Sequence, residues 1–268
     1  MKSKKLAWKI RRNALEMVHN SKASHIGSIF SASDIIAVLY TSGMHVFPDN
    51  PNHDERDRFI LSKGHAGAGI YAALAEIGFF SKKMLDSYCS NGSKLSGHIS
   101  HKEVPGVELS TGSLGHGLGV GAGMALAAKM ENKTHRVFVL MGDGECNEGS
   151  IWEAALFANH YRLNNLVAII DHNKLQSLDL CENTLELIDI AEKFRAFGWN
   201  VQIIDGHDHD QILHAIESKS DYKPMCIVAH TIKGKGVSFM EGQVLWHYRD
   251  PQGELFQQAI RELEAARP

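Results

Sequence analysis

Residues 137–173 read VFVLMGDGECNEGSIWEAALFANHYRLNNLVAIIDHN. The run 137–141 is continuously apolar, the mark of a parallel strand buried on both faces, and 166–171 repeats it after a helical stretch at 151–161. Each strand ends on polar residues: Gly142-Asp143-Gly144-Glu145 after the first, Asp171-His172-Asn173 after the second. The alternation continues with a helix at 185–197, a strand at 199–204, a helix at 211–218, a strand at 225–229 and a last helix at 254–265. Strands and helices at this spacing predict an α/β fold, a three-layer sandwich around a mostly parallel sheet. In such sheets ligands lie beyond the carboxyl ends of the strands, so the residues just after each strand are the ones to inspect. Upstream, helices are expected at 6–19, at 34–42 with Ser33 as N-cap, at 64–78 and at 118–130.

Composition narrows the class. The chain has 268 residues, 44% apolar and 22% charged, as one large globular domain over 1–268 requires. With 28 Lys and Arg against 31 Asp and Glu, the net charge of -3 offers no field for nucleic acid. Cys89, Cys146, Cys181 and Cys226 are widely spaced, against a disulfide framework or thiolate zinc site, and fit a reducing, cytoplasmic setting. No apolar stretch is read as a membrane span or leader. The 16 His and 24 Gly are the skewed counts; His serves proton transfer and phosphate contact, and Gly lets backbone approach a ligand.

Asp143 and Asn173 stand at the ends of two consecutive strands. An Asp carboxylate and an Asn amide oxygen are hard ligands for Mg²⁺ or Ca²⁺, although Gly, Asp and Asn are equally the ordinary residues of βα turns. Gly117-Leu118-Gly119-Val120-Gly121-Ala122 fits a dinucleotide fingerprint, but the segment before it is turn-rich, not an apolar strand. Lys233 and Lys235 in IKGKG could grip phosphate or simply line a solvated loop.

The GDG sequence followed about thirty residues later by Asn resembles the thiamine diphosphate motif. Its flanks match too: SHIGSIFSASD (24–34), DRFILSKGHAGAGIYAAL (57–74), KLSGH (94–98), STGSLGHGLGVGAGMALA (110–127) and HTIKGKGVSFMEG with a later WH (230–247) resemble, in order, blocks of the first half of transketolase. The resemblance spans roughly residues 7–247, and the family's pyrimidine-binding and C-terminal half has no counterpart. It implies a thiamine-diphosphate-binding fold that holds thiamine diphosphate with Mg²⁺ (or Ca²⁺ or Mn²⁺). Asp143 and Asn173 would ligate the metal by side chain and Leu175 by its carbonyl. His65, Gly112, Ser113, Leu114, Gly144, Glu145 and His247 would border the cofactor. His25 and His98 would line the donor channel, and His25, His65, His98, Glu148 and His247 form the implied catalytic set, Glu148 near the subunit interface.

The activity that the resemblance implies is that of the N-terminal subunit of a split transketolase. With a separate C-terminal subunit, in an α₂β₂ assembly, it would move a two-carbon ketol unit between sugars or sugar phosphates. The other readings are an α-type subunit of a 2-oxo acid dehydrogenase or related synthase, or a non-catalytic cofactor-binding module. Ser24, Ile26, His116, His172 and Tyr248 depart from the family pattern, and they leave the sugar pair open. The Ala/Gly-rich helices around Gly67 and Gly121 are expected to serve close subunit contact.

Overall fold

A computed structural model describes residues 2–218 and 220–268. Helices α1 (Ser3–Ser21) and α2 (Ile26–Val38) precede strand β1 (Arg58–Leu61) and helix α3 (Gly67–Ile77). Then follow α4 (Gly117–Met130), β2 (Val137–Gly142), α5 (Gly149–His160), β3 (Leu166–His172), the short α6 (Cys181–Leu185) and α7 (Ile190–Ala196). The chain closes with β4 (Asn200–Asp205), α8 (His209–Glu217), β5 (Met225–His230) and α9 (Gly253–Ala265). The five strands are all parallel in the order β1-β2-β3-β5-β4.

Alternation along β2 shows the three layers. Phe138 and Leu140 face a core built with α1, α2, α3, α8 and α9, whereas Val137, Val139 and Met141 face a second core with α4, α5 and α7. Both faces of the strand are therefore buried, which is why its sequence reads as an unbroken apolar run. The loops that follow β1, β2, β3 and β5 all emerge at one edge of the sheet, where the parallel register gathers them.

Four expectations need correction. Ser33 is no N-cap: α2 begins at Ile26, after His25 turns the chain with φ 74°, and every residue of α2 is buried. Ser33 Oγ donates to the Ile29 carbonyl at 2.8 Å and the buried Asp34 pairs with Arg11 of α1, so polar residues that look like a helix start are interior residues satisfied by neighbours. The α2 helix and the π turn after it (Leu39–Gly43) also make an 18-residue stretch, Ile26–Gly43, apolar enough to cross a bilayer. It is 89% buried and forms the centre of the larger core. The strand at Arg58–Leu61 is absent from the sequence reading; four residues are too few for periodicity to register. Finally, the helix expected at 185–197 is broken, with α6 ending at Leu185 and α7 starting only at Ile190, where the Asp189 side chain accepts from the Glu192 N–H at 2.9 Å.

The two small-residue helices differ in use. A Cβ at Gly67 would lie 2.8 Å from the Ile99 backbone N, and Gly67–Ala75 of α3 are buried inside the chain. On α4, Gly121 faces the sheet, with a Cβ there only 2.5 Å from Val139 Cγ2, while nothing lies within 4 Å of a Cβ at Gly119 or Gly123. These glycines give a direct check. In urea unfolding of the isolated chain, Gly121→Ala should destabilise by about 1–3 kcal/mol through overpacking. Gly119→Ala and Gly123→Ala should each stabilise by roughly 0.5–1 kcal/mol, because only the backbone entropy of glycine is removed there.

Candidate active site

At the carboxyl edge of the sheet the loops enclose an open cleft of about 460 Å³. Its floor is organised by Asp171, the last but one residue of β3, which is fully buried. The Asp171 carboxylate pairs with Lys63, just past β1, and accepts the hydroxyls of Ser31 on α2 and Thr231 just past β5. It also receives the Asn173 amide at 3.3 Å. Burial alone would push its carboxyl up, but the Lys63 ammonium and these donors hold it below the usual range, so it is a carboxylate.

Asp143, just past β2, lies beside it in a different state. It is 4% exposed, and its oxygens accept the Gly144 N–H at 2.7 Å and the Lys174 N–H at 2.5 Å. Burial and the neighbouring Asp171 charge push its carboxyl up to about 6. A buried carboxylate under-compensated in this way gains from an added cation. Asn173 Oδ1 accepts from Leu175 N at 3.1 Å, and the Leu175 carbonyl accepts from the buried Lys233 ammonium at 3.1 Å. Asp143, Asn173 and Leu175 thus bring together one carboxylate, one amide oxygen and one carbonyl. That donor set fits a hard divalent ion which completes its shell with phosphate oxygens and water. Among the described residues no group of three His, Cys, Asp or Glu side chains could hold a metal without such help.

Gly144 borders the same floor; a Cβ there would lie 2.8 Å from Gln176 Cγ. Gln176 also lines the floor, its Nε2 buried beside the Cys181 thiol. Glu145 also lines the cleft, but its carboxylate accepts from Ser62 Oγ, from Gly115 N at 2.9 Å and from Gly142 N at 3.1 Å. It therefore fastens the 112–115 turn to β1 and β2. Within that turn Gly112 and Leu114 face the cleft, while Ser113 sits exposed outside the lining.

Four histidines form the adjoining wall. The ring of His25 lies 5.2 Å from His65, 5.5 Å from His98 and 4.9 Å from His247, and His65 lies 5.5 Å from His247. They come from the α2 start, the turn before α3, the 94–98 loop and the turn before α9, joined in part by the His25 N–H donating to the His247 carbonyl at 2.8 Å. Burial first, then neighbouring positive groups, lowers His25 to about 4 and His247 to about 3, and takes His65 well below its ordinary value. These rings are neutral near pH 7 and act as hydrogen-bond donors and acceptors, not as fixed charges. Glu148, at the N-cap of α5, is exposed at the mouth of the cleft.

The structure thus gathers every residue expected at the site except Ser113 into one cleft lining, adds Ser28, Lys63 and Gln176 to it, and sets Lys233 there too, with Asp171 buried beneath. Lys233 settles one ambiguity of the sequence. It is 2% exposed, its ammonium donates to the Leu175 and Gln176 carbonyls and meets His247 Nδ1 at 3.0 Å, and burial beside Lys63 lowers it to about 8. Lys235 instead pairs with Glu241 at 3.5 Å away from the cleft. The signal that could have separated the two lysines is the glycine spacing: Gly234 and Gly236 take φ +83° and +98°, and the tight loop they allow turns alternate side chains inward and outward. Lys63 is visible within SKGH, but nothing in a single sequence says that a lysine after a strand points inward.

The chain matches the family described as "Transketolase, thiamine diphosphate binding domain" over residues 2–254. It is 45% identical over 258 residues to an apulose-4-phosphate transketolase subunit of Phocaeicola vulgatus, covering 95% of this chain and 91% of that one. It is 41% identical to the 6-deoxy-6-sulfo-D-fructose transketolase subunit SqwG of a Clostridium species, covering 95% and 94%. Among solved structures, the transketolase of Campylobacter jejuni superposes with a TM-score of 0.92 at 30% identity, covering 98% of this chain but 42% of that one. The chain therefore spans about two-fifths of the length of that full-length structure.

The lowered rings of His25, His65 and His247 make the fold acid-sensitive in a defined window. Folding favours the uncharged ring, so the stability each ring contributes is complete above its unfolded value near 6.5 and is lost as pH falls towards the lowered folded value. Thermal unfolding should therefore weaken from pH 6.5 towards pH 4. His247→Gln should recover about 1 kcal/mol at pH 5, after discounting for solvent screening of a partly exposed ring, and change little at pH 8.

Proposed function

The chain belongs to the transketolase family and corresponds to the N-terminal, thiamine diphosphate-binding subunit of a two-subunit transferase, and from this we propose that its cleft holds the diphosphate end of the cofactor together with Mg²⁺. The observation that carries the reading is the juxtaposition at the cleft floor of an under-compensated carboxylate, Asp143, with two buried lysines, Lys63 and Lys233. One end of that floor suits a divalent cation and the other suits anionic phosphate oxygens. Asp143, Asn173 and Leu175 would hold the metal, with Gly144 and the Gln176 side chain bordering the diphosphate. Thiamine diphosphate, when bound, supplies the nucleophilic carbon and the electron sink for breaking a carbon–carbon bond beside a carbonyl.

The four histidines would serve the sugar. Their rings present donor and acceptor nitrogens in a partly desolvated wall, suited to the hydroxyls of a ketose and to relaying a proton between a hydroxyl and the carbonyl formed from it. Ser24, whose hydroxyl meets His25 Nδ1 at 3.0 Å, fixes which His25 nitrogen faces the cleft. The reaction we assign is transfer of a two-carbon ketol unit from a ketose donor to an aldose acceptor, on sugars or sugar phosphates. Both similar subunits named above act on modified sugars or their phosphates, which supports a carbohydrate donor without fixing it.

Completion of the site falls to a separate C-terminal subunit that supplies the pyrimidine-binding half. We assign pairing of two copies of this chain, in an α₂β₂ assembly, to the outer face of α4 and α5. There Gly119 and Gly123 open to solvent beside the exposed Val120, Met130, Leu156 and Phe157. That face is apolar, and its glycines leave room for a partner helix to approach closely.

The decisive experiment is reconstitution with the candidate partner, thiamine diphosphate and Mg²⁺, followed by assay for ketol transfer between sugars. Transfer is expected. Decarboxylation of 2-oxo acids, or no turnover with a partner that binds, would overturn the assignment. Asp143→Ala should cut Mg²⁺-dependent activity by at least the ~10–100-fold that even outer-sphere changes cost at a metal site. Gly123→Arg should leave the chain folded but shift the assembly to half its mass in light scattering.

A further inference from the structure

Behind the cleft, on the far side of the segment that carries Lys233, lies a buried charge cluster that does not line the cleft. Asp34 on α2 accepts both guanidinium branches of Arg11, at 3.0 Å on Oδ1 and 2.6 Å on Oδ2. The same two oxygens accept His209 Nε2 at 3.1 Å and His207 Nδ1 at 2.7 Å, His207 lying in the β4–α8 connection and His209 at the first position of α8. Burial would raise the Asp34 carboxyl, but Arg11 and the two imidazoles hold it well below the usual range, so it remains a carboxylate. A carboxylate only accepts, so His207 must carry its proton on Nδ1.

The other face of that ring fixes the rest. His207 Nε2 lies 2.8 Å from the backbone nitrogen of Ile232, a group that only donates. Nε2 must therefore be a bare acceptor, and the ring is the neutral Nδ1–H tautomer, aimed by Asp34 on one side and holding a peptide N–H on the other. Ile232 immediately precedes Lys233. Its own side chain is exposed, so packing does not anchor this residue and its hydrogen bond to His207 does. The flanking anchors are Thr231 Oγ1 on Asp171, Thr231 N on the His172 carbonyl at 3.2 Å and Gly234 N on the Gly27 carbonyl at 2.9 Å.

We propose that His207 is a positioning residue for Lys233: a neutral imidazole, oriented by Asp34, that holds the Ile232 N–H and so sets where the lysine enters the cleft. It does not touch the cleft itself. Its consequence for the cofactor rests on the reading of Lys233 as a diphosphate contact, whereas its consequence for the loop does not.

The test compares His207→Phe, which keeps the ring volume and loses both hydrogen bonds, with His207→Gln, whose amide retains a donor and an acceptor, each in the reconstituted complex. In His207→Phe, hydrogen exchange at the Ile232 and Lys233 amides and acylation of the Lys233 amine should each rise about tenfold, as the loss of one hydrogen bond implies. Exchange in α2 and β3 and acylation of Lys63 should stay unchanged. The dissociation constant for thiamine diphosphate should rise by a similar factor with kcat at saturating cofactor within about twofold, and His207→Gln should recover most of the loss. Unchanged exchange and labelling at Lys233 in His207→Phe overturn the proposal. If the loop responds but the unaltered complex binds no thiamine diphosphate, the cofactor reading falls and the positioning role stands. Should His207→Phe fail to fold, ¹⁵N NMR of the unaltered chain decides: a neutral Nδ1–H ring is expected, and a proton on Nε2 overturns it.

Discussion

The buried pair of Lys63 and Asp171 is the constraint on which the rest of the site depends. It closes the gap between β1 and β3, which lie on either side of β2, and through Ser31 and Thr231 it draws in α2 and the segment after β5. Two charges removed from water in this way are costly unless their remaining hydrogen-bonding capacity is met, and here it is. Lys63 Nζ also donates to the Ser28 carbonyl at 3.2 Å, while the Asp171 oxygens take two hydroxyls and an amide. Leaving either partner alone would strand an uncompensated charge, at about 3–5 kcal/mol. The pair therefore does more than stabilise. It sets the separation between the residue that precedes His65 by two and the residue that precedes Asn173 by two, which is the width of the cleft floor.

The same pair explains why two neighbouring carboxylates behave differently. Asp171 has the lysine and stays ionised; Asp143 has two peptide N–H groups and a negative neighbour, and its carboxyl is pushed up to about 6. Had both been matched by lysines, a divalent ion would find a neutral site. Had neither been matched, the floor would repel phosphate. The arrangement instead separates a cation-seeking end from an anion-seeking end within one floor, and the neutral rings of His25, His65 and His247 beside it add hydrogen bonding without adding charge. The proposed cofactor, a diphosphate together with a divalent ion, would satisfy both ends at once.

Much of this is legible in the sequence, and the part that is not has a physical reason. Strands β2, β3 and β5 declare themselves because burial on both faces leaves only apolar residues, and Asp143 and Asn173 follow from where those strands stop. The start of α2 is hidden because a helix buried on all sides has no polar face to mark its phase, so Ser33 and Asp34 mimic its beginning. Lys63 and Lys233 are hidden because a lysine in sequence is by default a solvated residue; only the tertiary fold shows that Asp171 awaits one and that three acceptors surround the other. His207 is hidden for the same reason. Its partners, Asp34 and Ile232, are 173 and 25 residues away.

The openness of the cleft mouth comes from the same division of parts. The chain builds the end that needs rigid charge and places it on strand ends, where backbone is least free to move. It leaves Glu148 exposed at the N-terminus of α5, and beside it α4 turns one set of glycines inward against Val139 and another outward to solvent. Inward glycines let the helix lie close to the sheet and fix the layer spacing. Outward glycines do nothing for the chain itself and weaken the helix by their backbone freedom. Under the assembly proposed above, these outward glycines are what would let a second copy approach α4 closely, on the same side of the chain as Glu148.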